Sequence, residues 1–250
     1  MDKLSLLIPS YNDPRIIEIL VELKNYSRAQ LEIVIQDGGS PSDLLSKIED
    51  LITPGDKLVV ESDDGIFDAI NRGISNCSNE YILTIGTDDF VTKNSLDIIL
   101  SRIEEGSESV FFAPVRMVEP NTLRLVRYWP VRKFSRLRIL MGVQYPHFGL
   151  IAHKTVYDAL KFSCTNKINA DYEFFYDLSG TLKQSKIGYI DNAPIMMRLG
   201  GTSTKNLPSI ISHQFIMMSF AMKRNPILLI GFLLKPLYKL QELVLGVFNR

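Results

Sequence analysis

Over residues 1–105, short apolar runs alternate with segments whose apolar positions recur at helical spacing. The apolar runs have the length of strands, and turn residues bound each of them. The predicted strands are Leu4–Ile8, Leu31–Gln36, Lys57–Glu61 and Tyr81–Ile85. Strands that alternate with helices favour right-handed crossovers, so we expect an α/β fold whose mostly parallel sheet carries helices on both faces.

Helix signals separate these strands. Asp13 followed by Pro14 is typical of a helix start, and this first helix is predicted to run to about Tyr26. Ser42 is in position to cap the second helix. The third is predicted within SDDGIFDAINRGI, and the fourth runs from about Lys93 to Glu104.

The pattern is less regular after residue 105. Strands are predicted at Ser109–Val115 and Leu123–Trp129, and an apolar segment spans His147–His153. The sequence NADYEFFYDL predicts a helix, IGYID and PIMMRL predict short strands, and GGTSTKN predicts a loop. We therefore expect a second half with mixed secondary structure.

The C-terminal segment, from about Ser209, is helical, apolar and basic in character. Its two uncharged runs, Asn206–Met222 and Asn225–Leu234, are interrupted or short. Neither supplies the roughly 20 apolar residues that a membrane-spanning helix needs. From Lys223 to Arg250 there are five basic residues and one acid. Two interpretations stay open, namely an interfacial helix on a membrane and a buried helix that packs on the domain.

Composition narrows the class of protein. Of 250 residues, 46% are hydrophobic and 22% are charged, which is enough for a substantial core. Lys plus Arg and Asp plus Glu are both 28, which argues against a protein that coats nucleic acid. Basic and acidic residues are not evenly distributed, since residues 116–138 contain seven basic residues and one acid. Two cysteines without a disulfide pattern fit a reducing cytoplasm, and we expect no signal peptide.

Acidic or small polar residues follow all four predicted strands. Ligands of parallel α/β sheets bind beyond the carboxyl ends of the strands. One acidic turn is usually a solvated turn, but four at one edge predict a cleft for a ribose, a base edge and a divalent cation. The four stretches are Pro9-Ser10-Tyr11-Asn12-Asp13, Asp37-Gly38-Gly39-Ser40, Ser62-Asp63-Asp64-Gly65 and Gly86-Thr87-Asp88-Asp89.

Five motifs together resemble one family. LLIPSYN, EIVIQDGGSPSD, ESDDGIFDAINRGI, ILTIGTDDF and NADYEFF occur in the order and at about the spacing of the family 2 inverting glycosyltransferases with the GT-A fold. The chain is most similar to the bacterial branch that builds exopolysaccharide and O-antigen units. The resemblance implies a Rossmann-like domain over 1–204, with a nucleotide-sugar-binding half at 1–105 and an acceptor half at 106–204. Residues 205–250 would form C-terminal amphipathic helices.

The resemblance also implies a nucleotide pocket. Asp37 would accept a hydrogen bond from the base, most naturally from N3–H of uracil, since a carboxylate only accepts. Asn71 has a plainer interpretation as a polar residue on a helix face. The residues implied to line the pocket are Pro9, Tyr11, Asn12, Asp37, Asp63, Asp64, Asn71 and Thr87.

A metal site is implied at the opening of the fourth helix. If the family's D-x-D motif lies on residues 86–88, Asp88 is the metal-bearing acid and Gly86 replaces the first acid. Alternatively, Asp89 holds the metal and Asp88 lies beside the ribose. Mg²⁺ or Mn²⁺ would neutralise the departing diphosphate. Because Gly86 departs from the motif, a metal-independent enzyme is a further alternative.

The resemblance implies that Asp171 is the general base, although a charge in the first turn of a helix is also explained by the helix dipole. His147 and Arg132 are candidate contacts to donor or acceptor. A histidine beside an apolar strand is more often structural. Arg132, Lys133 and Arg136 have helical spacing, which suits a face toward anionic headgroups or a solvated surface.

The resulting hypothesis is an inverting glycosyltransferase that moves a sugar from a nucleotide diphosphate, most naturally UDP, to a glycan or a polyprenyl-diphosphate-linked acceptor. Bacterial surface polysaccharide synthesis would be its setting, at the cytoplasmic face of the membrane and without nucleic acid. The alternative is a non-catalytic nucleotide-binding or scaffold protein that keeps the fold. A nucleotidyltransferase is disfavoured because PSYNDPR, after the first strand, contains no glycine.

Overall fold

A computed structural model describes most of the first 200 residues and a few positions beyond them. Within this part of the chain there are two β-sheets and seven α-helices. The described residues are 4–24, 26, 30–165, 169–200, 219–220, 222–226 and 228–229.

The secondary structure follows the predicted alternation closely in the first half. The strands are β1 (Leu4–Ser10), β2 (Leu31–Asp37), β3 (Lys57–Val60), β4 (Tyr81–Thr84), β5 (Phe90–Val91), β6 (Val110–Phe112), β7 (Val115–Val118), β8 (Leu125–Trp129), β9 (Leu150–His153), β10 (Ile187–Tyr189) and β11 (Ile195–Arg198). The helices are α1 (Ile16–Leu23), α2 (Ser42–Glu49), α3 (Ile66–Asn76), α4 (Lys93–Glu105), α5 (Arg136–Leu140), α6 (Lys154–Ala159) and α7 (Ala170–Thr181).

The larger sheet has seven strands in the order β10-β6-β9-β4-β1-β2-β3. β1 pairs in parallel with β2 and β4, and β2 pairs in parallel with β3. Within this sheet β9 runs antiparallel to both of its neighbours, β4 and β6. The predicted α/β fold with a mostly parallel sheet is therefore confirmed.

Helices cover both faces of this sheet, as predicted. Leu4, Leu6 and Ile8 of β1 belong to a core that includes α1, α2 and α4. Leu7 points to the other face and joins a core with α3 and α7. Successive residues of a strand face opposite sides, so a strand that is buried on both sides needs an unbroken apolar run. This explains why the fully buried β1 was visible in the sequence.

Two predicted helix starts are wrong. α1 begins at Ile16, after a turn in which Asp13 Oδ1 accepts the Arg15 N–H at 3.1 Å. α2 begins with Ser42 itself, so Pro41 occupies the capping position, and it makes no side-chain capping hydrogen bond. In the first case the carboxylate that the pattern assigned to helix capping is held by a neighbouring arginine instead.

The predicted strand at Ser109–Val115 is also wrong, because the chain changes sheets within it. β6 lies in the larger sheet, whereas β7 lies in a four-stranded sheet of order β5-β11-β7-β8. The change occurs at Ala113 and Pro114, and proline has no N–H to continue a ladder. The Ala113 N–H donates to the carbonyl of Gly149 at 2.8 Å, which ends the pairing of β6.

Most of the predicted C-terminal segment lies outside the described residues, as do residues 201–206 of the predicted loop. Phe220 and Leu228 are described, and both are buried in the core beside α7. The ring of Phe220 is edge-on to Tyr172 and Tyr176 at centroid distances of 6.1 and 5.7 Å. At these positions the chain packs on the domain. Among the described residues, no helix has the length and apolarity to cross a bilayer.

Candidate functional site

The loops that follow β1 and β2 are joined by backbone hydrogen bonds. The Asn12 N–H donates to Ser40 Oγ at 2.7 Å, and the Gly38 N–H donates to the carbonyl of Ser10 at 2.8 Å. Asn12 has a φ of +48°, in the left-handed region that asparagine tolerates better than most residues. These contacts bring two of the four predicted polar stretches together at one edge of the sheet, as the sequence predicted.

Asp37 is completely buried at the end of β2. Its Oδ1 accepts the N–H groups of Gly39 and Ser40 at 2.9 and 2.6 Å, and its Oδ2 accepts the Ser40 hydroxyl at 2.6 Å. A carboxylate offers about four acceptor positions, so one remains for a donor on a bound base. Asp37 therefore holds the turn together, and its contact with a base stays a prediction.

Gly38 lies against the side chains of two predicted nucleotide residues. A Cβ at this position would come within 2.6 Å of Asp63 Oδ2 and 3.2 Å of Tyr11 Cδ2. The Tyr11 ring is 70% exposed, and Asp63 Oδ1 accepts the Gly65 N–H at 2.8 Å. Because Gly38 has no side chain, the Asp63 carboxylate and the Tyr11 ring can both approach the backbone of this turn closely.

The other predicted nucleotide residues have different surroundings. Pro9 is buried within β1, and Asp64 is exposed, with its N–H bonded to Asp68 Oδ2 at 3.1 Å. The Asn71 side chain donates to the carbonyl of Phe162 at 2.8 Å and accepts the N–H of Phe162 at 3.0 Å. This pair of hydrogen bonds ties α3 to the segment after α6, a role close to the plainer interpretation of Asn71.

One arginine links the loops after β1 and β4. Arg15 Nη2 and Nε donate to the carboxylate of Asp13 at 2.6 and 2.9 Å, and Nη1 donates to Asp88 Oδ2 at 2.8 Å. The Thr87 hydroxyl donates to Asp13 Oδ2 at 2.6 Å. Burial would raise the pKa of Asp13, but hydrogen bonds from Arg15 and Thr87 outweigh it and lower the pKa to about 2.

The sequence prediction missed Arg15. The available signal was its position, since it is the first basic residue after the acidic and polar stretch that follows β1. Its guanidinium can bridge two carboxylates because it presents several N–H groups in a fixed planar arrangement.

Asp88 and Asp89 differ sharply in environment. Asp89 is 2% exposed, and its oxygens accept the N–H groups of Arg198 at 3.0 Å and Gly86 at 3.3 Å. Burial, together with the charge of Asp88, raises the pKa of Asp89 to about 7. A Cβ on Gly86 would lie 3.0 Å from Asp89 Oδ2 and 3.2 Å from Asp88 Oδ1, so glycine suits this loop. Asp88 is the more exposed of the two, and the assignment of a metal to either acid stays a prediction.

The donor set fits a metal only in part. No group of three His, Cys, Asp or Glu side chains gathers as a metal site among the described residues. Asp88 offers Oδ1, whereas Oδ2 is bonded to Arg15. Mg²⁺ commonly keeps several waters and binds through one or two carboxylates together with substrate phosphates. The site therefore fits a cation that is shared with a diphosphate, not one held by protein alone.

Asp171 lies in the first turn of α7 and is partly buried. One turn further on, the Phe174 ring stacks on Phe162 at a centroid distance of 4.4 Å. Because Phe162 is bonded to Asn71, the start of α7 is attached to α3 and thus to the first half of the molecule. The role of Asp171 as a general base stays a prediction.

His147 begins a short 3-10 turn before β9. Its ring packs against the rings of Phe148 at 3.9 Å and Phe67 at 6.1 Å, measured between centroids. Burial lowers the pKa of His147 to about 4, so the ring is neutral at physiological pH. These surroundings match the structural interpretation of this histidine, and a contact with donor or acceptor stays a prediction.

The predicted helical face of Arg132, Lys133 and Arg136 is wrong. α5 begins at Arg136 and is capped by Ser135, whose hydroxyl accepts a backbone N–H at 3.3 Å, so the first two residues precede the helix. The Arg136 guanidinium lies 4.4 Å over the Tyr176 ring and donates to its hydroxyl at 2.9 Å. The helix is too short to carry the whole basic run.

The β7–β8 hairpin carries part of that basic run on an exposed surface. The side chains of Leu125, Val126 and Tyr128 are exposed on β8, which is the edge strand of the smaller sheet. Arg127 lies 4.4 Å over the ring of Trp129. Apolar side chains and the cationic Arg127 therefore lie together along this edge, Leu125–Trp129, which we call the hairpin surface.

Comparison with known proteins gives one family match. The description Glycosyl transferase family 2 fits residues 5–159. Among the relatives, chondroitin synthase of Pasteurella multocida is 22% identical over 225 residues, which are 88% of this chain and 23% of that protein. An uncharacterized glycosyltransferase of Haemophilus influenzae is 24% identical over 212 residues, covering 82% of this chain and 83% of that one. The chain thus spans less than a quarter of the synthase.

Two solved structures share the fold. S. aureus TarS (1-349) in complex with UDP-GlcNAc has a TM-score of 0.64 at 18% identity, covering 88% of this chain and 66% of that one. The mannosyltransferase PcManGT from Pyrobaculum calidifontis, in complex with GDP-Man and Mn²⁺, has a TM-score of 0.59 at 15% identity, covering 92% and 69%. At these identities the likeness shows the fold.

Proposed function

Because the chain belongs to glycosyl transferase family 2, we propose that it is an inverting glycosyltransferase. It would move a sugar from a nucleotide diphosphate to a hydroxyl group of a glycan or a lipid-linked acceptor, in the synthesis of a bacterial surface polysaccharide. The observation that carries the proposal is the joining of the loops after β1, β2 and β4 by hydrogen bonds among their polar residues. Loops of this kind, which follow the carboxyl ends of parallel strands, are where α/β folds bind nucleotides.

The donor would bind beside the turn at Gly38, where Tyr11 and Asp63 come close to the backbone. The exposed Tyr11 ring offers a face on which the base can stack, and Asp63 offers a carboxylate to a ribose hydroxyl. Asp37 would use its remaining acceptor position for a base N–H, which leads us to propose a UDP-sugar. Donors of this chemical class are bound by TarS, as UDP-GlcNAc, and by PcManGT, as GDP-Man.

The diphosphate would lie near Thr87 and Asp88. Mg²⁺ or Mn²⁺, when bound by Asp88, would neutralise the charge that develops on the departing diphosphate. Asp89 would hold the loop after β4 in place, because it accepts hydrogen bonds from the N–H groups of Gly86 and Arg198. We keep His147 and Arg132 as candidate contacts to the donor or the acceptor.

The acceptor would be activated from α7. In a single displacement the acceptor hydroxyl attacks from the face opposite the diphosphate, and Asp171 takes its proton. The configuration at the anomeric carbon inverts, so a UDP-α-sugar would give a β-linkage. The attachment of α7 to α3 through Phe162 supports this assignment, since it connects the helix of the proposed base to the first half of the chain.

We also propose that the protein works at the cytoplasmic face of a membrane as a peripheral protein. The basic, apolar sequence at 205–250 and the basic run around the hairpin surface support this proposal. Anionic headgroups attract such residues, and a lipid-linked acceptor would be presented at the same surface.

A nucleotide screen tests the function. Melting temperatures measured with UDP, GDP and dTDP, with and without Mn²⁺, should rise most with UDP and Mn²⁺, because a ligand of the native state stabilises it. Proton NMR of the product should then show the inverted anomeric configuration. If no nucleotide diphosphate raises the melting temperature, the proposal fails. Binding without any transfer or slow donor hydrolysis would instead support the non-catalytic alternative.

A further inference from the structure

Arg15 holds the carboxylate that the proposed function assigns to the metal. Its guanidinium is anchored to Asp13 by two N–H groups, and a third, on Nη1, reaches Asp88 Oδ2 at 2.8 Å. The Arg15 side chain is 49% exposed, whereas those of Asp13 and Asp88 are each 18% exposed. The arginine thus lies over the two acids on the solvent side.

A guanidinium and a divalent cation cannot share Asp88 without repulsion. Asp88 is the acid of the β4 loop that remains open to a ligand, because both oxygens of Asp89 accept backbone N–H groups. One of the two Asp88 oxygens is already bonded to Arg15. A cation on the other oxygen would lie within a few ångströms of the guanidinium, and like charges at that separation oppose each other.

A diphosphate would change this balance. Arginine matches phosphate groups with paired N–H donors, and its side chain is long enough to be shared between neighbouring anions. When phosphate oxygens bind between the loops after β1 and β4, they offer Arg15 an alternative partner. They also supply ligands that the cation lacks.

We propose that Arg15 competes with the divalent cation for Asp88, and that the donor diphosphate relieves this competition, so that metal binding depends on bound nucleotide. The inference rests on the proposed function and concerns the regulation of the same site. Coupling of this kind is reciprocal, so the metal strengthens nucleotide binding by the factor by which the nucleotide strengthens metal binding.

The test measures Mn²⁺ binding to the full chain, by the electron paramagnetic resonance of free Mn²⁺, first without nucleotide. The parent should bind Mn²⁺ weakly. Arg15→Gln removes the charge and should bind Mn²⁺ about tenfold more tightly or better, the effect of losing one charge-assisted hydrogen bond to the competitor. Arg15→Lys keeps the charge but loses the planar fork and should fall between the two. Asp88→Asn should abolish the gain when combined with Arg15→Gln.

The second arm repeats the titration with saturating UDP. UDP should tighten Mn²⁺ binding in the parent by a larger factor than in Arg15→Gln. Arg102→Gln is the matched control, because Arg102 pairs with Glu108 at the far end of α4, and it should behave as the parent in both arms. Melting temperatures and circular dichroism check that each variant is folded.

The outcomes separate this inference from the proposed function. Equal or weaker nucleotide-free Mn²⁺ affinity in folded Arg15→Gln and Arg15→Lys overturns the inference, and so does an unchanged effect of UDP on metal affinity. If UDP affects neither the parent nor any variant, the proposed function fails and the nucleotide-dependent part of the inference falls with it. The nucleotide-free comparison then still decides whether Arg15 competes for Asp88.

Discussion

Each half of the molecule is stabilised by a different kind of interaction. In the first half, the candidate site is a network of charged and polar groups, in which Arg15 is bonded to both Asp13 and Asp88 and so links two loops. In the second half, α7 is held by aromatic rings, among them Phe174 stacked on Phe162. Hydrogen bonds have strict geometry, whereas ring packing tolerates small shifts.

This difference suggests that the two halves contribute to different steps, nucleotide binding and sugar transfer. A nucleotide diphosphate is polar and charged, so it is best bound by groups that are already oriented. In the proposed function, in contrast, the second half would admit a glycan or a lipid-linked acceptor and would position one general base. We therefore expect substitutions in the first half to change nucleotide affinity and substitutions in the second half to change the rate of transfer or the attachment of the halves.

The largest effect should come from Asp171→Asn in the second half. Asparagine keeps the shape of aspartate and loses only its interaction with the helix dipole, about 0.3–1 kcal/mol, but it cannot accept the proton of the acceptor. The transfer rate should fall by roughly 10²–10⁴-fold, while UDP affinity measured by calorimetry should be nearly unchanged. Glu173→Gln, two positions on, is the control with a smaller expected effect. Transfer by Asp171→Asn at near the parent rate would refute the base assignment.

Phe162→Ala should show that ring packing attaches α7 to the first half. Phe162 is buried between Phe67 and Phe174, so its truncation should cost about 3–5 kcal/mol of unfolding free energy. Urea denaturation measures the change, and Phe162→Leu, which keeps part of the apolar volume, should cost less. If Phe162→Ala lowers the unfolding free energy by less than about 1 kcal/mol, which is the effect of an ordinary substitution, ring packing at Phe162 does not attach α7 to the first half.

Asp37→Asn should act on nucleotide affinity in the first half. The amide preserves the shape and an acceptor for the turn, but it removes the negative charge offered to a base N–H. Loss of a hydrogen bond to a charged group is worth about 1.5–3 kcal/mol, so UDP should bind about 10- to 150-fold more weakly. Asp43→Asn on the exposed start of α2 is the control. Calorimetry that finds equal UDP affinity would remove Asp37 from the pocket.

His147 should make the stability of the second half depend on pH. Burial lowers the pKa of His147 to about 4, whereas the unfolded chain has a pKa near 6.5. The unfolded state therefore binds the proton of His147 more readily between these values, and the contribution of His147 to the free energy of unfolding should decrease as the pH falls from about 6.5 toward 4. The raised pKa of Asp89 contributes in the opposite direction over this range, so the effect of His147 is seen as a difference between parent and variant.

His147→Gln should remove this contribution, so the difference in unfolding free energy between parent and variant should change as the pH falls from about 6.5 toward 4, whereas the difference between parent and His153→Gln should stay constant. Chemical denaturation at several pH values measures both. A curve of unchanged shape in His147→Gln would show that His147 is not a buried neutral ring.

The smallest effect should be at the membrane. Lys133 is exposed beside the hairpin surface, and one basic residue near an anionic surface contributes about 1 kcal/mol. Lys133→Gln should therefore bind anionic liposomes about fivefold more weakly at low salt in sedimentation assays. Lys47→Gln on α2 is the control. If the parent itself stays in the supernatant at low salt, the membrane proposal is wrong.

The sequence was most informative where structure is local. The strands and helices of the first half were predictable because each carries its own periodic apolar pattern. The break at Pro114 was not recognised, because a continuous apolar run does not show that its two ends belong to different sheets. Nor does the four-residue β9 reveal the direction in which it pairs.

The candidate site was predictable as a set of loops but not as a set of contacts. The polar stretches after the strands predicted which loops lie at the same edge of the sheet. The burial of Asp89, however, depends on the backbone of Arg198, which lies 109 positions away in sequence. The bridging by Arg15 likewise depends on how two loops meet. Partnerships of this kind arise from the tertiary structure, so no local pattern encodes them.

The place of β9 in the larger sheet has a consequence for synthesis on the ribosome. β9 fills the position between β4 and β6, although it is made after both. Until residues 150–153 have emerged, the nascent chain exposes the unpaired edge of β4, and such edges attract other chains. A gene fragment that ends at residue 105 should therefore yield an aggregating product. A fragment that extends beyond His153 contains the strand that closes this edge.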